Sequence, residues 1–338
     1  MTTIADVAAL AGVSVATVSR TLHESARVDP RTREKVQAAA AALDYVASPT
    51  AMSLASGRTN IVAVVAPLMS RWFFATIVTT IEQELRSQGY HVLLIILEGE
   101  GDASGLRMEM FAKRVDGIIS LNVRPSADEL AMLERLRLPI VAVGMPLGNW
   151  PRVHIDDAAA VRSAVQHLIG LGHSDIGYVG TSDISFAHMA TPGLRVEAFR
   201  AAITEAGLPA HPEWAIASEW TADAAARRVE QVLRNPCRPT AILAASDEMA
   251  VGVIGAARWI GIEVPRDLSV MGIDDHTFAA VLGLTTIHQD VRAQGRSAVS
   301  LLVAAMRGEP LPHNAVETPT YIIARETTAP PASAADGG

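Results

Sequence analysis

Apolar residues recur at every third or fourth position from residue 4 to residue 11, a spacing that predicts one buried helix face. Thr3 and Asp6 have the arrangement of a capping box, so the helix is expected to begin between them. Gly12 suits the positive φ that ends a helix, and Ser14 is a favourable N-cap for a second helix. The pattern therefore predicts two short helices joined by a tight turn, a helix-turn-helix.

The second predicted helix begins at Val15 and buries Val18 and Leu22, which lie four residues apart. Its opposite face carries small, hydroxyl-bearing and basic side chains. Arginine pairs with guanine, methyl groups contact thymine and hydroxyls donate to phosphates, so this face predicts contacts with double-stranded DNA. A small structural helical hairpin, or a helix-turn-helix used for contacts with protein, is the alternative. The predicted DNA-binding residues are Thr3, Ser14, Val15, Ala16, Thr17, Ser19, Arg20 and, from the linker, Leu54.

A third helix is predicted from Asp29-Pro30 to about Leu43, because proline is favoured at the first helical position. It completes a head over residues 1–46. A linker over residues 47–59 follows, in which residues 50–55 can form a short helix. So short a helix is marginal alone in water, so we expect it to fold on DNA; a flexible tether is the alternative.

From residue 60 onward, apolar runs alternate with helical segments, which is typical of a parallel α/β fold. The predicted strands are residues 62–65, 91–96, 117–121, 140–143, 176–179, 241–244 and 269–272. The predicted helices are residues 74–88, 158–169, 247–260 and 291–306. Two successive groups of such elements predict a core over residues 60–328 with two lobes. The lobes are residues 60–155 with 291–317 and residues 156–290 with 318–328, followed by a disordered tail over 329–338.

Five blocks of the head and linker resemble the LacI/GalR family of bacterial transcription regulators, and the likeness extends over nearly the whole chain. These blocks are Val13-Ser14 and residues 17–20, 32–36, 43–45 and 51–54. The resemblance implies a two-lobed core like that of periplasmic sugar-binding proteins, with two doubly wound parallel sheets. It also implies a homodimer whose paired linker helices wedge Leu54 into the minor groove. The chain departs from the family at His23 and Met52, where asparagine and arginine are usual.

The resemblance also implies a site for a small-molecule, sugar-like effector in the cleft between the lobes. An arginine, two carboxylates and aromatic faces suit a sugar. Core packing is the alternative for the three aromatic residues, and a helix N-cap is the alternative for Asp247. The implied cleft contacts are Phe73, Phe74, Arg195 at the opening of a helix, Trp220, Asp247 and Asp274.

The cleft pattern is incomplete at Gly144-Met145, where some family members place a sugar-binding acid. A common hexose is therefore not implied. A phosphorylated sugar needs a further basic residue, which the sequence does not locate.

The net charge is informative about DNA binding only when residues 1–59 and the rest of the chain are counted separately. Residues 1–59 carry six basic and five acidic side chains, so a net of −9 falls on the rest of a chain whose total is −8. An acidic core is an unfavourable nucleic-acid surface, which leaves DNA binding to the head. The single cysteine, Cys237, excludes an internal disulfide and fits a reducing compartment. No export signal or membrane-length apolar run is recognisable, so we expect a cytoplasmic protein without membrane contact.

No glycine-rich phosphate loop, zinc-spaced Cys/His set or Gly-x-Ser-x-Gly elbow occurs, so neither a cofactor nor an enzymatic activity is expected. Two other classes of protein are alternatives to a regulator. A solute-binding receptor would need an export signal and would have no use for Arg20. A Rossmann-type enzyme would need a dinucleotide loop. The sequence thus predicts a homodimeric, effector-controlled repressor.

Overall fold

The computed structural model describes residues 2–22, 28–45, 57–97, 105–180, 191–311 and 314–332. The chain forms two compact units, Met1–Ile61 with Lys113–Asp116, and Val62–Ala112 with Gly117–Gly338. The predicted linker helix with Leu54, and the departures at His23 and Met52, lie outside the described residues.

The described residues form helices and strands that are numbered here in chain order. The helices are α1 Ile4–Ala11, α2 Val15–Leu22, α3 Pro30–Ala42, α4 Trp72–Ser87, α5 Ala127–Leu136, α6 Asp157–Gly170, α7 Thr191–Glu205, α8 Ala222–Leu233, α9 Asp247–Trp259 and α10 Val291–Met306. The strands are β1 Ile61–Ala66, β2 His91–Ile96, β3 Gly117–Leu121, β4 Ile140–Val143, β5 Arg152–His154, β6 Ile176–Val179, β7 Ala215–Ile216, β8 Ala241–Ala244, β9 Ser269–Asp274, β10 Thr285–Gln289, β11 Ala315–Glu317 and β12 Thr320–Ile323.

The head packs α1, α2 and α3 around a small apolar core centred on Val7, Val18 and Val36, each fully buried. The predicted capping box is present, because Thr3 and Asp6 bond each other's backbone N–H. Gly12 ends α1 at φ 66°, the Ser14 hydroxyl accepts from the Thr17 N–H at 3.2 Å, and Asp29 caps α3 through the Thr32 N–H. The helix-turn-helix is therefore confirmed.

Asp116 fixes the backbone that leads into β1. Its Oδ1 accepts hydrogen bonds from the Thr59 N–H at 2.8 Å and the Thr59 hydroxyl at 2.9 Å, while Oδ2 accepts from the Asn60 N–H at 2.8 Å. Three bonds to one carboxylate hold Asn60 at φ 54°, a region that a residue other than glycine seldom adopts. These bonds thus define the backbone conformation of residues 59 and 60.

The core contains two six-stranded sheets, with strand orders β11-β5-β4-β3-β1-β2 and β12-β10-β9-β8-β6-β7. In the second sheet β12 runs antiparallel to β10, and the other pairs are parallel. In the first sheet β1, β3, β4, β5 and β11 pair in parallel. The predicted α/β class with two doubly wound sheets is confirmed, and each sheet has its own apolar core.

Several boundaries differ from those that the sequence predicts. Arg195 does not open its helix but lies one turn inside α7, which begins at Thr191. The tail predicted to be disordered from Ala329 is ordered at its start, because the Ala329 carbonyl accepts bonds from His173 and Ser269. Strands β5, β10, β11 and β12 were not predicted. Strands β5, β11 and β12 have three or four residues each, too few to establish a clear alternation of apolar and polar positions. Strand β10 has five residues but a single aliphatic side chain, Ile287, so it contains no apolar run.

Within the described residues, no single helix has the length and apolar character needed to cross a membrane. The pair Ile4–Ala11 and Val15–Leu22, bent by 102°, meets the length and composition test only when the two are counted together.

Two glycines of α9 give a matched test of helix packing. A Cβ on Gly252 would lie 2.0 Å from the Ala222 carbonyl oxygen of α8, whereas a Cβ on Gly255 meets nothing within 4 Å. Gly252→Ala is expected to destabilise the core by about 1 to 3 kcal/mol or more, because two backbones must separate. Gly255→Ala should stabilise it by about 0.5 to 1 kcal/mol through helix propensity. Urea unfolding measures both free energies, and equal effects would refute the close approach.

Candidate functional site

The cleft of the core lies at the carboxyl ends of strands from both sheets, where parallel α/β folds bind ligands. Residues just past β3, β4 and β8, together with the last residues of β9 and β10, line a cavity with about 730 Å³ of empty space, including the part open to solvent. These residues are Asn122, Gly144, Ser246, Asp274 and Gln289.

Arg195 is the central charge of the cleft and is 4% exposed. Its Nε donates to Asp157 Oδ1 at 2.7 Å, and Nη1 donates to the Ala245 carbonyl at 2.5 Å. Nη1 also lies 3.9 Å from Asp274 Oδ1, and the guanidinium carbon lies 5.6 Å from the centre of the Trp220 ring. A buried ion pair held this way orients the guanidinium and leaves its remaining N–H groups for a ligand.

Asp274 ends β9 with its backbone at φ 130°, a strained conformation of the kind found at ligand sites. Its Oδ1 accepts a hydrogen bond from Gln289 Nε2 at 2.6 Å, and Gln289 Oε1 in turn accepts from Gln294 Nε2 at 3.0 Å. Burial raises the pKa of Asp274 to about 8, although the Arg195 charge acts in the opposite direction. Asp274 is therefore mostly protonated near neutral pH and can donate a hydrogen bond to a ligand.

Asp247 does not line the cavity, in contrast to the sequence-based expectation. Its side chain is fully buried, where Oδ1 accepts from the Thr286 hydroxyl at 2.6 Å and Oδ2 from the His276 N–H at 2.7 Å. Nor is it the helix N-cap, because the Ser246 hydroxyl accepts from the Met249 N–H. Asp247 instead stabilises the loop that follows Asp274, through the hydrogen bond from the His276 N–H.

The aromatic residues predicted for the cleft do line it. Phe73 and Phe74 pack edge to face with ring centres 5.2 Å apart at the start of α4, Phe74 being buried and Phe73 half-buried. Trp220 is half-buried against the second core, so core packing and cleft lining both apply. These rings give the cavity an apolar wall beside its charged groups.

The head presents a second surface of interest on α2. Val15 is 45% exposed, Ala16 and Arg20 are exposed, and the Arg20 Nε donates to the Ala16 carbonyl at 3.1 Å. Ser14 is exposed and bonds Thr17, which is half-buried. Two further predicted contacts, Ser19 and Thr3, are half-buried and exposed respectively. The predicted DNA-binding residues within the described range thus keep accessible side chains.

Two family models match this chain. "Bacterial regulatory proteins, lacI family" matches residues 3–48, and "Periplasmic binding protein-like domain" matches residues 165–328. Catabolite control protein A of Priestia megaterium is 34% identical over 332 residues, which are 96% of this chain and 99% of that protein. The chain belongs to the lacI family of bacterial regulatory proteins.

Other relatives agree with this assignment. The HTH-type transcriptional regulator DegA of Bacillus subtilis (strain 168) is 31% identical over 97% of this chain and 98% of its own length. A solved lac repressor dimer, bound to operator and an anti-inducer, has a TM-score of 0.86 at 28% identity, covering 97% and 99% of the two chains. A complex of the regulator CelR with cellobiose has a TM-score of 0.68 at 29% identity, covering 97% and 100%. This lacI-family chain is a transcriptional regulator and not an enzyme.

Several cleft residues of this lacI-family member escaped sequence analysis. Asp157 follows Asp156, and both lie next to the predicted boundary between the lobes after residue 155. In the structure Asp156 caps α6 through the Ala159 N–H, while Asp157 pairs with Arg195. The other missed lining residues share one signal, a position within a few residues of a strand's carboxyl end or at a following helix start. They include Arg71, Asn122, Ser246, Glu248, Gln289 and Gln294.

Asp274→Asn should change how stability depends on pH. The folded-state pKa of Asp274 lies above its ordinary value of 3.8, so the wild type keeps this contribution below pH 4 and loses it as pH rises toward 8. The variant cannot ionise there. Its free energy of unfolding relative to the wild type should rise across that window, by at most about 1.4 kcal/mol per pH unit. Parallel stability curves from urea titrations at several pH values would contradict the raised pKa.

Proposed function

We propose that this lacI-family regulator is a homodimeric repressor that binds a pseudo-palindromic operator and is controlled by a sugar-like effector. The observation that carries the proposal is that one chain holds both an exposed face on α2, with Val15, Ala16 and Arg20, and a cleft that contains a buried ion pair. Two heads related by a two-fold axis read two half-sites. The chromosome is the binding partner, which places the regulator in the cytoplasm.

In this proposal the base contacts come from the exposed end of α2. Arg20 pairs with guanine, and the methyl groups of Val15 and Ala16 contact thymine. Ser14, Thr17, Ser19 and Thr3 donate to phosphates. Leu54 of each linker inserts at the centre of the operator. The lac repressor structure, a dimer on operator DNA, supports this arrangement.

The effector site of the proposal combines Arg195 and Asp274 as hydrogen-bonding groups with Phe73, Phe74 and Trp220 as apolar walls. The cellobiose complex of a relative supports a carbohydrate class of ligand. An effector that favours one arrangement of the two lobes changes how the linkers of a dimer meet, and so changes operator affinity. By linkage, operator DNA then changes effector affinity by the same factor.

Arg20→Ala tests the base-reading part. The variant should lose discrimination at one base pair of each half-site, at a cost of about 1 to 3 kcal/mol, while its affinity for other substituted duplexes changes uniformly. Fluorescence anisotropy with a preferred duplex and its single-base variants measures this. Arg31→Ala, which removes an exposed arginine from the first turn of α3, is the matched control. Unchanged base preference in the Arg20 variant would reject the proposed register.

A further inference from the structure

Arg71 brings a second guanidinium to the cleft, just before α4. It is half-buried and lines the cavity, and its Nε is shielded from solvent without any hydrogen-bond partner. The negative charges of Glu248 and Glu219 stabilise the Arg71 cation, although neither carboxylate lies within 4.0 Å of the guanidinium nitrogens. Burial lowers the pKa of Arg71, which reflects the cost of holding a cation away from water. The described residues thus leave a desolvated donor that a ligand can satisfy.

A second donor of the same cavity is also left without an acceptor. The indole Nε1 of Trp220 is buried and has no hydrogen-bond partner. Buried donors are paired in most proteins, so two such donors lining one cavity indicate a ligand that supplies acceptor atoms.

The other guanidinium of the cleft already has a partner. Arg195 pairs with Asp157 at 2.7 Å, whereas Arg71 makes no ion pair within 4.0 Å among the described residues. Burial raises the pKa of Glu248, while the charge of Arg71 and a hydrogen bond from the Trp72 N–H lower it. Glu248 and Glu219 thus act on Arg71 only at a distance, and its Nε remains available to an incoming anion.

We propose that the effector carries an anionic oxygen group, a phosphate or a carboxylate, on a hydroxylated molecule of sugar size, and that Arg71 binds this group. Trp220 Nε1 donates a further hydrogen bond to the effector. A guanidinium binds phosphate and carboxylate oxygens through paired N–H groups, and partial burial of Arg71 strengthens such charge-assisted bonds. This inference rests on the proposed function, because it names the chemical class of the effector for the same cleft.

The test compares neutral sugars with their anionic counterparts on the full-length protein. The probes are glucose, galactose, fructose and ribose, the 6-phosphates of the three hexoses, ribose 5-phosphate, glucuronate, galacturonate and inorganic phosphate. Thermal shift identifies the probes that bind, and calorimetry gives their dissociation constants. At least one anionic sugar should bind about 10-fold or more tightly than its neutral counterpart. A response to phosphorylated sugars alone, or to uronates alone, then identifies the anionic group.

Variants of Arg71 assign the preference to this residue. Arg71→Ala should weaken the anionic sugar by about 10- to 100-fold and reduce the ratio between anionic and neutral affinities toward one. The affinity of Arg71→Lys for the anionic sugar should lie between those of the wild type and Arg71→Ala, since lysine keeps the charge but not the paired N–H groups. Arg86→Ala is the matched control, because Arg86 lies near the other end of α4 and pairs with Glu82 at the surface. It should leave the ratio unchanged.

Three results would overturn the inference. These are equal affinities for neutral and anionic sugars, no detectable binding of any anionic sugar, and an unchanged preference for the anionic sugar in Arg71→Ala. Operator binding measured with and without the sugar that binds tests the proposed function separately. Absence of selective duplex binding under both conditions would refute the repressor proposal, while the affinity ratios still decide the role of Arg71.

Discussion

Replacing Arg195 with alanine is expected to destabilise the core by about 3 to 5 kcal/mol and to abolish the effector response. The substitution leaves Asp157, which is 15% exposed at its side chain, as a buried carboxylate without its cation. It also removes the donor to the Ala245 carbonyl. Urea unfolding monitored by tryptophan fluorescence measures the stability, and a ligand-dependent operator assay measures the response.

A double variant separates these two effects. Adding Asp157→Asn to Arg195→Ala removes the uncompensated charge, so stability should recover by most of the lost amount. The effector response should not recover, because the guanidinium itself binds the ligand in this account. Recovery of both properties would show that Arg195 acts only through folding, and recovery of neither would refute the ion pair as the source of instability.

Placing a carboxylate in the head core is expected to eliminate selective DNA binding. Val36→Asp buries a charge among Val7 and Val18 in a small domain with little stability to lose, so the head should unfold. Operator affinity should fall to the non-specific level, about 10³-fold or more weaker. Gln37→Asp introduces the same side chain at the exposed neighbouring position and should change affinity only slightly. Electrophoretic mobility shifts report the difference.

The same variant tests whether the cleft depends on the head. All five tryptophans lie between residues 72 and 259, outside the head, so their fluorescence reports the core alone. Because the cleft residues belong to a separate compact unit, tryptophan-monitored unfolding of Val36→Asp should match the wild type. A shifted core transition would show that the two units unfold together.

The head was predictable in detail because its determinants are local in sequence. The bonds between Thr3 and Asp6, the positive φ of Gly12 and the cap at Ser14 each depend on residues within four positions of one another. The main strands were also predictable, since continuous apolar runs such as β4 and β8 are buried along their whole length. Local periodicity was therefore sufficient to predict the fold class and the order of the main elements.

The cleft was predictable only in part because its contacts join residues that are distant in sequence. Arg195 meets Asp157 across 38 positions, and Asp247 meets Thr286 across 39. Sequence position could not show that Asp247 faces away from the cavity while Ser246 and Glu248 line it. The sequence could not place Arg71 in the cleft for the same reason. Arg71 precedes a helix, and no sequence feature indicates which residues lie near it.

The central claim is that this chain selects DNA through its head, and selection from a random duplex library by the full-length protein tests it most directly. We predict enrichment of one pseudo-palindromic motif, with guanine at a fixed position of each half-site, bound at least about 10³-fold more tightly than random duplex. Recovery of unselected sequence, bound with the same affinity as bulk DNA, would contradict the account.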